Sequence, residues 1–190
     1  MTLERIRAGD VGALEELLRD AWGPLLRHLR CVADSADAAE DAAQEAFVRL
    51  WERRDRWQGG SARALLFRIG RNLALDAARR GRVRKRRWRD PLIGPPTPTT
   101  PEEELGRVEI RARVEAAFAA LAPRRREVFE LVRFAGLTYR EVAEALELSP
   151  QTVANHMSFA LRDLRAELAD VVGGGSRADE DRGGRSSNDG

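Results

Sequence analysis

Apolar residues recur along this chain at helical spacing, and the polar breaks between them carry helix start and stop signals. Residues 3–8 predict a short helix closed by Gly9. Asp10 caps a longer one reaching about Val32, with Leu14, Leu17, Leu18, Trp22, Leu25, Leu26 and Leu29 on its apolar side. Gly23 and Pro24 inside it predict a kink or a break. Ser35 or Asp37 starts a third helix, to about Arg54, whose buried stripe is Ala39, Ala43, Ala46, Phe47, Leu50 and Trp51. Gln58, Gly59 and Gly60 then break the chain. Ser61 caps a fourth helix to at least Arg80, with Leu65, Leu66, Ile69, Leu73 and Ala77 facing inward and Arg68, Arg71, Asn72, Arg79 and Arg82 facing out.

Residues 90–101 hold five prolines and no periodicity. In polyproline II form such a linker reaches roughly 35–40 Å, at about 3.1 Å per residue. Helical spacing resumes over 102–121, with Val108, Ala112, Val114, Ala117, Phe118 and Leu121 apolar, and again from Pro123 to Phe134, closed by Gly136. Thr138 followed by Glu141 is a capping box, so another helix starts there. Ser149 before Pro150 is a second start signal, because proline's missing N–H costs nothing in the first turn. The last helix runs to about Leu168, with Val153, Met157, Ala160, Leu161, Leu164 and Leu168 on one stripe. From Gly173 the chain becomes Gly, Ser and charge, a composition that cannot fund a core. The pattern predicts an all-α protein: a helical domain over 1–89, a linker over 90–102, a second helical domain over 103–170 and a disordered tail over 171–190.

Composition narrows the function classes. The chain has 190 residues, 43% of them apolar, enough for two small cores. No apolar stretch approaches the roughly 20 residues that cross a bilayer, so no membrane insertion is expected. The first ten residues lack the apolar core of a signal peptide, and the expected location is cytoplasmic. Cys31 is the one cysteine, which excludes a disulfide framework and a cysteine-based zinc site. No cofactor is expected. There is no Gly-rich phosphate loop, no carboxylate pair with a Glu-x-x-His partner, and no nucleophile near His28 or His156, so the chain reads as no enzyme and no small-molecule substrate is expected.

The net charge of +2 hides a strong asymmetry. Residues 61–90 hold eleven basic and two acidic side chains, whereas 1–60 hold nine and twelve. Eight of the eleven residues in 79–89 are basic, with Trp88 among them. Such a segment continues a basic helix and suits phosphate. Trp57 and Trp88 nearby suit unpaired bases, since stacking contributes about 1–3 kcal/mol per base. Trp57 has an equal claim as a core residue closing the helix end. Asp41, Glu45 and Glu52 would repel DNA; with Gln44 and Val48 they form a mixed patch suited to a protein, or a plain solvated face. The pair of helices over 137–168 reads as a helix-turn-helix. Its second helix exposes Gln151, Thr152, Asn155, Phe159 and Arg162, flanked by His156 and Ser158, a set that suits base edges in a major groove. The plainer reading is a structural hairpin with a wet face.

Three ordered motifs tie these segments together. DAAQEAFVRLW at 41–51 and FRIGRNLALD at 67–76 resemble region 2 of bacterial RNA polymerase sigma factors. A third motif, made of PRRREVF at 123–129, then GLTYREVA at 136–143, then SPQTV at 149–153, resembles region 4. Having only these two regions and a short linker is the layout of the extracytoplasmic function (ECF) group of the sigma-70 family, and the resemblance covers about 10–168. It implies that Asp41, Gln44, Glu45 and Val48 grip the β′ clamp helices of core RNA polymerase. It implies that the Trp57–Ser61 loop, with Gln58, Arg71, Asn72, Arg79, Arg80 and Arg82, binds and melts the −10 element. Gln151, Thr152, Asn155, His156, Phe159 and Arg162 would read the −35 element as duplex, with the polymerase β flap as a further contact and an anti-sigma factor as an expected partner.

Two positions depart from the family pattern. Leu65 stands where an aromatic is usual and cannot stack on a base. Phe159 stands where Arg or Lys is common; it loses a phosphate contact but can meet a thymine methyl, or be covered by a partner protein. A stand-alone helix-turn-helix regulator is the competing reading. It accounts for the last 50 residues of the helical region and leaves the Asp41 motif and the 79–89 run without purpose.

Overall fold

The computed structural model describes residues 3–80 and 101–169, the side chains of 101–107 excepted. Arg82, Trp88, most of the basic run, the linker from 90 to 100 and the tail lie outside the described residues. Every regular element among those described is helical: α1 (Leu3–Arg7), α2 (Val11–Val32), α3 (Ala36–Glu52), α4 (Ala62–Arg80), α5 (Pro101–Ala120), α6 (Pro123–Arg133), α7 (Tyr139–Leu146) and α8 (Pro150–Glu167), with a 3-10 turn at Arg54–Arg56. None of these helices is long and apolar enough to cross a membrane.

Helix starts fall where the caps predict. The Asp10 carboxylate accepts from the Ala13 N–H at 3.0 Å, and Ser35 Oγ accepts from the Ala38 N–H at 3.1 Å. The Thr138–Glu141 capping box is complete in both directions. Ser149 Oγ accepts from the Thr152 N–H at 3.0 Å. The expected break at Gly23 and Pro24 is absent, and α2 runs through both. Pro24 removes the hydrogen bond to the carbonyl of Asp20, an exposed residue whose carbonyl can turn to water instead. The turn between α7 and α8 places Glu147 in left-handed backbone at φ 56°, a position that glycine usually fills.

Two compact units emerge, Met1–Pro91 with Glu127–Met157, and Leu92–Arg126 with Ser158–Gly190. In the first, α2, α3 and α4 pack on one another through Leu17, Ala21, Leu25 and Leu29, through Ala39, Ala43, Ala46 and Leu50, and through Leu66, Phe67 and Ala74. Trp22 and Phe47 meet at 6.1 Å between ring centroids. Gly70 lets the helices cross closely: a Cβ there would lie 3.2 and 3.3 Å from methyls of Leu29 and Leu25.

The same unit buries α4 on more than the side that its periodicity shows. Ala64, Leu65, Leu66 and Phe67 are all buried, because α7 packs on α4 as well. Leu18, expected on the apolar side of α2, is 42% exposed, as that stripe is wider than the face its neighbours cover. In the second unit, Ala117, Phe118 and Leu121 are buried. The Arg126 guanidinium there closes the end of α5, donating to the carbonyls of Phe118 at 3.0 Å, Leu121 at 3.1 Å, and Ala119. These are carbonyls left without helical partners at a C-terminus.

Candidate nucleic-acid interface

Three surfaces carry the residues singled out by sequence. On α3 the buried side is nearly all alanine, with Ala39, Ala42, Ala43 and Ala46 beside Phe47 and Leu50. Asp41, Gln44, Glu45 and Val48 consequently face water, Val48 at 47% exposure. An exposed valine among acids is a protein-docking chemistry more than a solvating one. Arg49 donates to Glu45 at 2.7 Å along the helix.

The second surface is the start of α4 and the loop before it. Ser61 caps α4, its Oγ accepting from the Ala64 N–H at 3.3 Å. Trp57, Gln58, Gly59, Gly60, Ser61, Leu65 and Arg68, with Glu144 of α7, line a cleft of about 220 Å³. That is smaller and more open than a small-molecule site. Trp57 is half-buried and its indole N–H has no hydrogen-bond partner. Leu65 is buried, so it presents no face for stacking. Asn72, Arg79 and Arg80 are exposed, and the two arginines bond only to Asp76, at 3.4 Å to its carboxylate and 3.1 Å to its carbonyl.

Arg71 behaves otherwise. It was expected to face out, yet its side chain is 21% exposed and its Nε donates to Glu127 Oε1 of α6 at 2.5 Å. Glu141 of α7 accepts from the Ser61 hydroxyl at 2.7 Å, and Glu144 accepts from the Ser61 N–H at 3.2 Å. Arg63 donates to the carbonyl of Ala135. Burial pushes the Glu141 carboxyl up, but the hydrogen bonds from Ser61 and from the Thr138 N–H and hydroxyl outweigh it, and hold it below its ordinary value. Sequence reasoning missed these contacts, since apolar periodicity does not report which polar face meets another.

His28 was missed too, although it falls on the buried stripe of α2 with Leu17, Ala21 and Leu25. It is 3% exposed and neither ring nitrogen has a hydrogen-bond partner. Its Nδ1 lies 4.0 Å from a Glu130 oxygen, and its ring lies 5.9 Å from that of Phe67. Burial drives its pKa down to about 4, with Glu127 opposing and Arg71 assisting, so it is neutral at pH 7 and makes no ion pair.

The third surface is α8. Gln151 and Asn155 are exposed and joined at 3.1 Å, Thr152 is half-buried with its hydroxyl 2.8 Å from that of Ser149, and His156 is half-buried. Val153 and Met157 are buried beneath them, which fixes which side of the helix is wet. Further along, Phe159 is 42% exposed. The guanidiniums of Arg125 and Arg162 sit 5.0 and 5.1 Å from its ring centre, and Asp163 holds both, at 2.6 and 3.2 Å. Among the described residues no cluster of His, Cys, Asp and Glu could hold a metal ion.

The chain is similar to known proteins over most of its length. Residues 13–88 match Sigma-70 region 2, and residues 111–164 match Sigma-70, region 4. Over 145 residues the chain is 30% identical to the ECF RNA polymerase sigma factor SigL of Mycobacterium tuberculosis, covering 75% of this chain and 81% of that protein. It is 28% identical over 172 residues to the ECF RNA polymerase sigma factor SigK of Mycobacterium bovis, covering 86% and 89%. CnrH, solved in complex with the cytosolic domain of CnrY, superposes with a TM-score of 0.60 at 26% identity, over 88% of this chain and 94% of that one.

An all-helical chain with these two regions in this order is a sigma-70 family transcription factor. Within that family the chain belongs to the ECF RNA polymerase sigma factors. It is a polymerase subunit for transcription initiation and not an enzyme. The motif at 41–51 and helix α4 both lie within the match to region 2.

Proposed function

We propose that the exposed face of α3 is the main grip on core polymerase, with Asp41, Gln44, Glu45 and Val48 set against the β′ clamp helices. Trp57, Gln58, Arg71, Asn72, Arg79, Arg80 and Arg82 then take the −10 element as single strand. Gln151, Thr152, Asn155, His156, Phe159 and Arg162 read the −35 element as duplex, with region 4 resting on the β flap. The protein works in the cytoplasm, and an anti-sigma factor holds it until a signal arrives; the partnered state of CnrH supports a protein partner of that kind.

One observation carries this reading. Neighbouring helices of one core present opposite chemistries: α3 offers exposed carboxylates and a valine, while α4 ends in exposed arginines. Two modules that each hold DNA weakly gain avidity once one polymerase positions both. The test is Asp41→Ala with Glu45→Ala. Both side chains are exposed and leave the core untouched, so helicity should be unchanged while co-purification with core polymerase is lost. Undiminished co-purification would remove α3 from the interface.

A further inference from the structure

In the second compact unit, one aromatic ring gathers two cations on the wet side of α8. Phe159 is exposed, as are Ser158 before it and Arg162 one turn on. The guanidiniums of Arg125, from α6, and of Arg162 stand 5.0 and 5.1 Å from the ring centre. That is inside the reach of about 6 Å at which an aromatic face attracts a cation. Two like charges beside one ring repel, and Asp163 offsets this. One of its carboxylate oxygens takes Arg125 at 2.6 Å and the other takes Arg162 at 3.2 Å. The hydrogen bond from Arg125 holds that carboxyl below its ordinary value, so it stays charged. Two cations and one anion leave the group positive. A guanidinium has five N–H groups, more than one carboxylate oxygen can take. The Arg125 and Arg162 side chains are 31% and 67% exposed. Prearranged N–H donors on a positive, accessible group suit phosphate.

Phe159 and Arg162 follow Asn155 by four and seven residues, the spacing that keeps side chains on one side of a helix. A recognition helix brings its first turns to base edges, so side chains further along meet the phosphates that wall the groove. We propose that Arg125 is a further −35 residue, a phosphate contact, and that Phe159 is the positioning residue that holds Arg125 and Arg162 against the DNA backbone, touching no base itself. This rests on the −35 reading given above and specifies what Phe159 does within it. One of the two cations therefore comes from α6, across the ring. Because ring and carboxylate already fix both arginines, less rotamer freedom is lost when a phosphate arrives. Contacts of this kind set register and affinity and carry no base preference.

The experiment uses the full chain assembled with core polymerase, a fluorescein-labelled promoter duplex from the same genome and its single-base −35 variants, read by polarisation at rising salt. Arg125→Ala should weaken binding about five- to tenfold on every variant alike and lower the salt slope by about 0.9, the share of one phosphate. Phe159→Leu keeps both charges and an apolar side chain. It should still weaken every variant about threefold or more and flatten the salt slope, while Phe159→Trp, which restores a ring, stays within about twofold of the wild type. The melting temperature of the chain should hold in Phe159→Leu, since a ring needed only for packing would lower it and leave the slope alone. A changed preference at one −35 base in Phe159→Leu would make the ring a base contact and overturn the proposal, as would unchanged binding in Arg125→Ala. Arg162→Ala separates the two levels. If it weakens binding while Arg125→Ala and Phe159→Leu do not, the positioning proposal falls and the −35 reading of α8 stands. If all three, and Asn155→Ala with them, leave binding unchanged, the −35 reading of α8 falls as well.

Discussion

His28 makes the first unit sensitive to acid. Its pKa is depressed to about 4 from an ordinary 6.5, so the unfolded chain binds a proton that the folded chain refuses. Stability is then full above about pH 6.5 and falls as the pH drops from there toward 4. Between pH 7 and pH 5 the loss is about 2 kcal/mol, taking about 1.36 kcal/mol per pKa unit. The groups that face it, Glu127, Glu130 and Arg71, belong to the same unit. Urea unfolding at the two pH values should show this loss in the wild type and little of it in His28→Leu. An equal loss in both would place the acid sensitivity elsewhere. The residue scale is also where sequence reading is weakest. His28 lies in the structure on the stripe of Leu17, Ala21 and Leu25, and nothing in the spacing shows that both its nitrogens go without partners. Nor does composition single out Glu147 for left-handed backbone, since the residue usually chosen there is glycine.

At the scale of elements, the recognition helix α8 gives the sharper test. Asn155 is exposed and holds only Gln151, so both amides are free to turn toward a base edge. Asn155→Ala should cost about 1–3 kcal/mol at one −35 position and relax base choice there. Holoenzyme binding to a set of single-base −35 variants measures it; a uniform weakening across all variants would make Asn155 a phosphate contact instead. Helix starts and stops were the most legible elements in the sequence, because Asp10, Ser35, Thr138 and Ser149 act within three residues of themselves. Pro24 shows the converse. Local chemistry argues for a break there, but packing of Ala21, Leu25 and Leu29 on both neighbours outweighs one lost hydrogen bond. The second buried side of α4 was illegible for a different reason. Its apolar spacing accounts for α2 and α3, whereas the cover from α7 is completed by Ser61, Arg63 and Arg71 bonding to groups more than 50 residues away.

At the scale of the whole molecule, the described faces differ in chemistry. Acid and valine on α3 suit a protein, the arginines of α4 suit a strand, and short polar side chains on α8 suit a groove. The family assignment was legible because the three motifs keep their order and spacing over most of the chain. What the sequence withheld is the arrangement in which α7 lies on α4 and Arg71 meets Glu127, since that depends on pairs far apart along the chain. The account is tested most directly by run-off transcription with purified core polymerase and promoters from the same genome. It predicts discrete transcripts that require this protein and vanish with the Asp41→Ala, Glu45→Ala variant. A protein that leaves core polymerase without a start site on every promoter tried would contradict it.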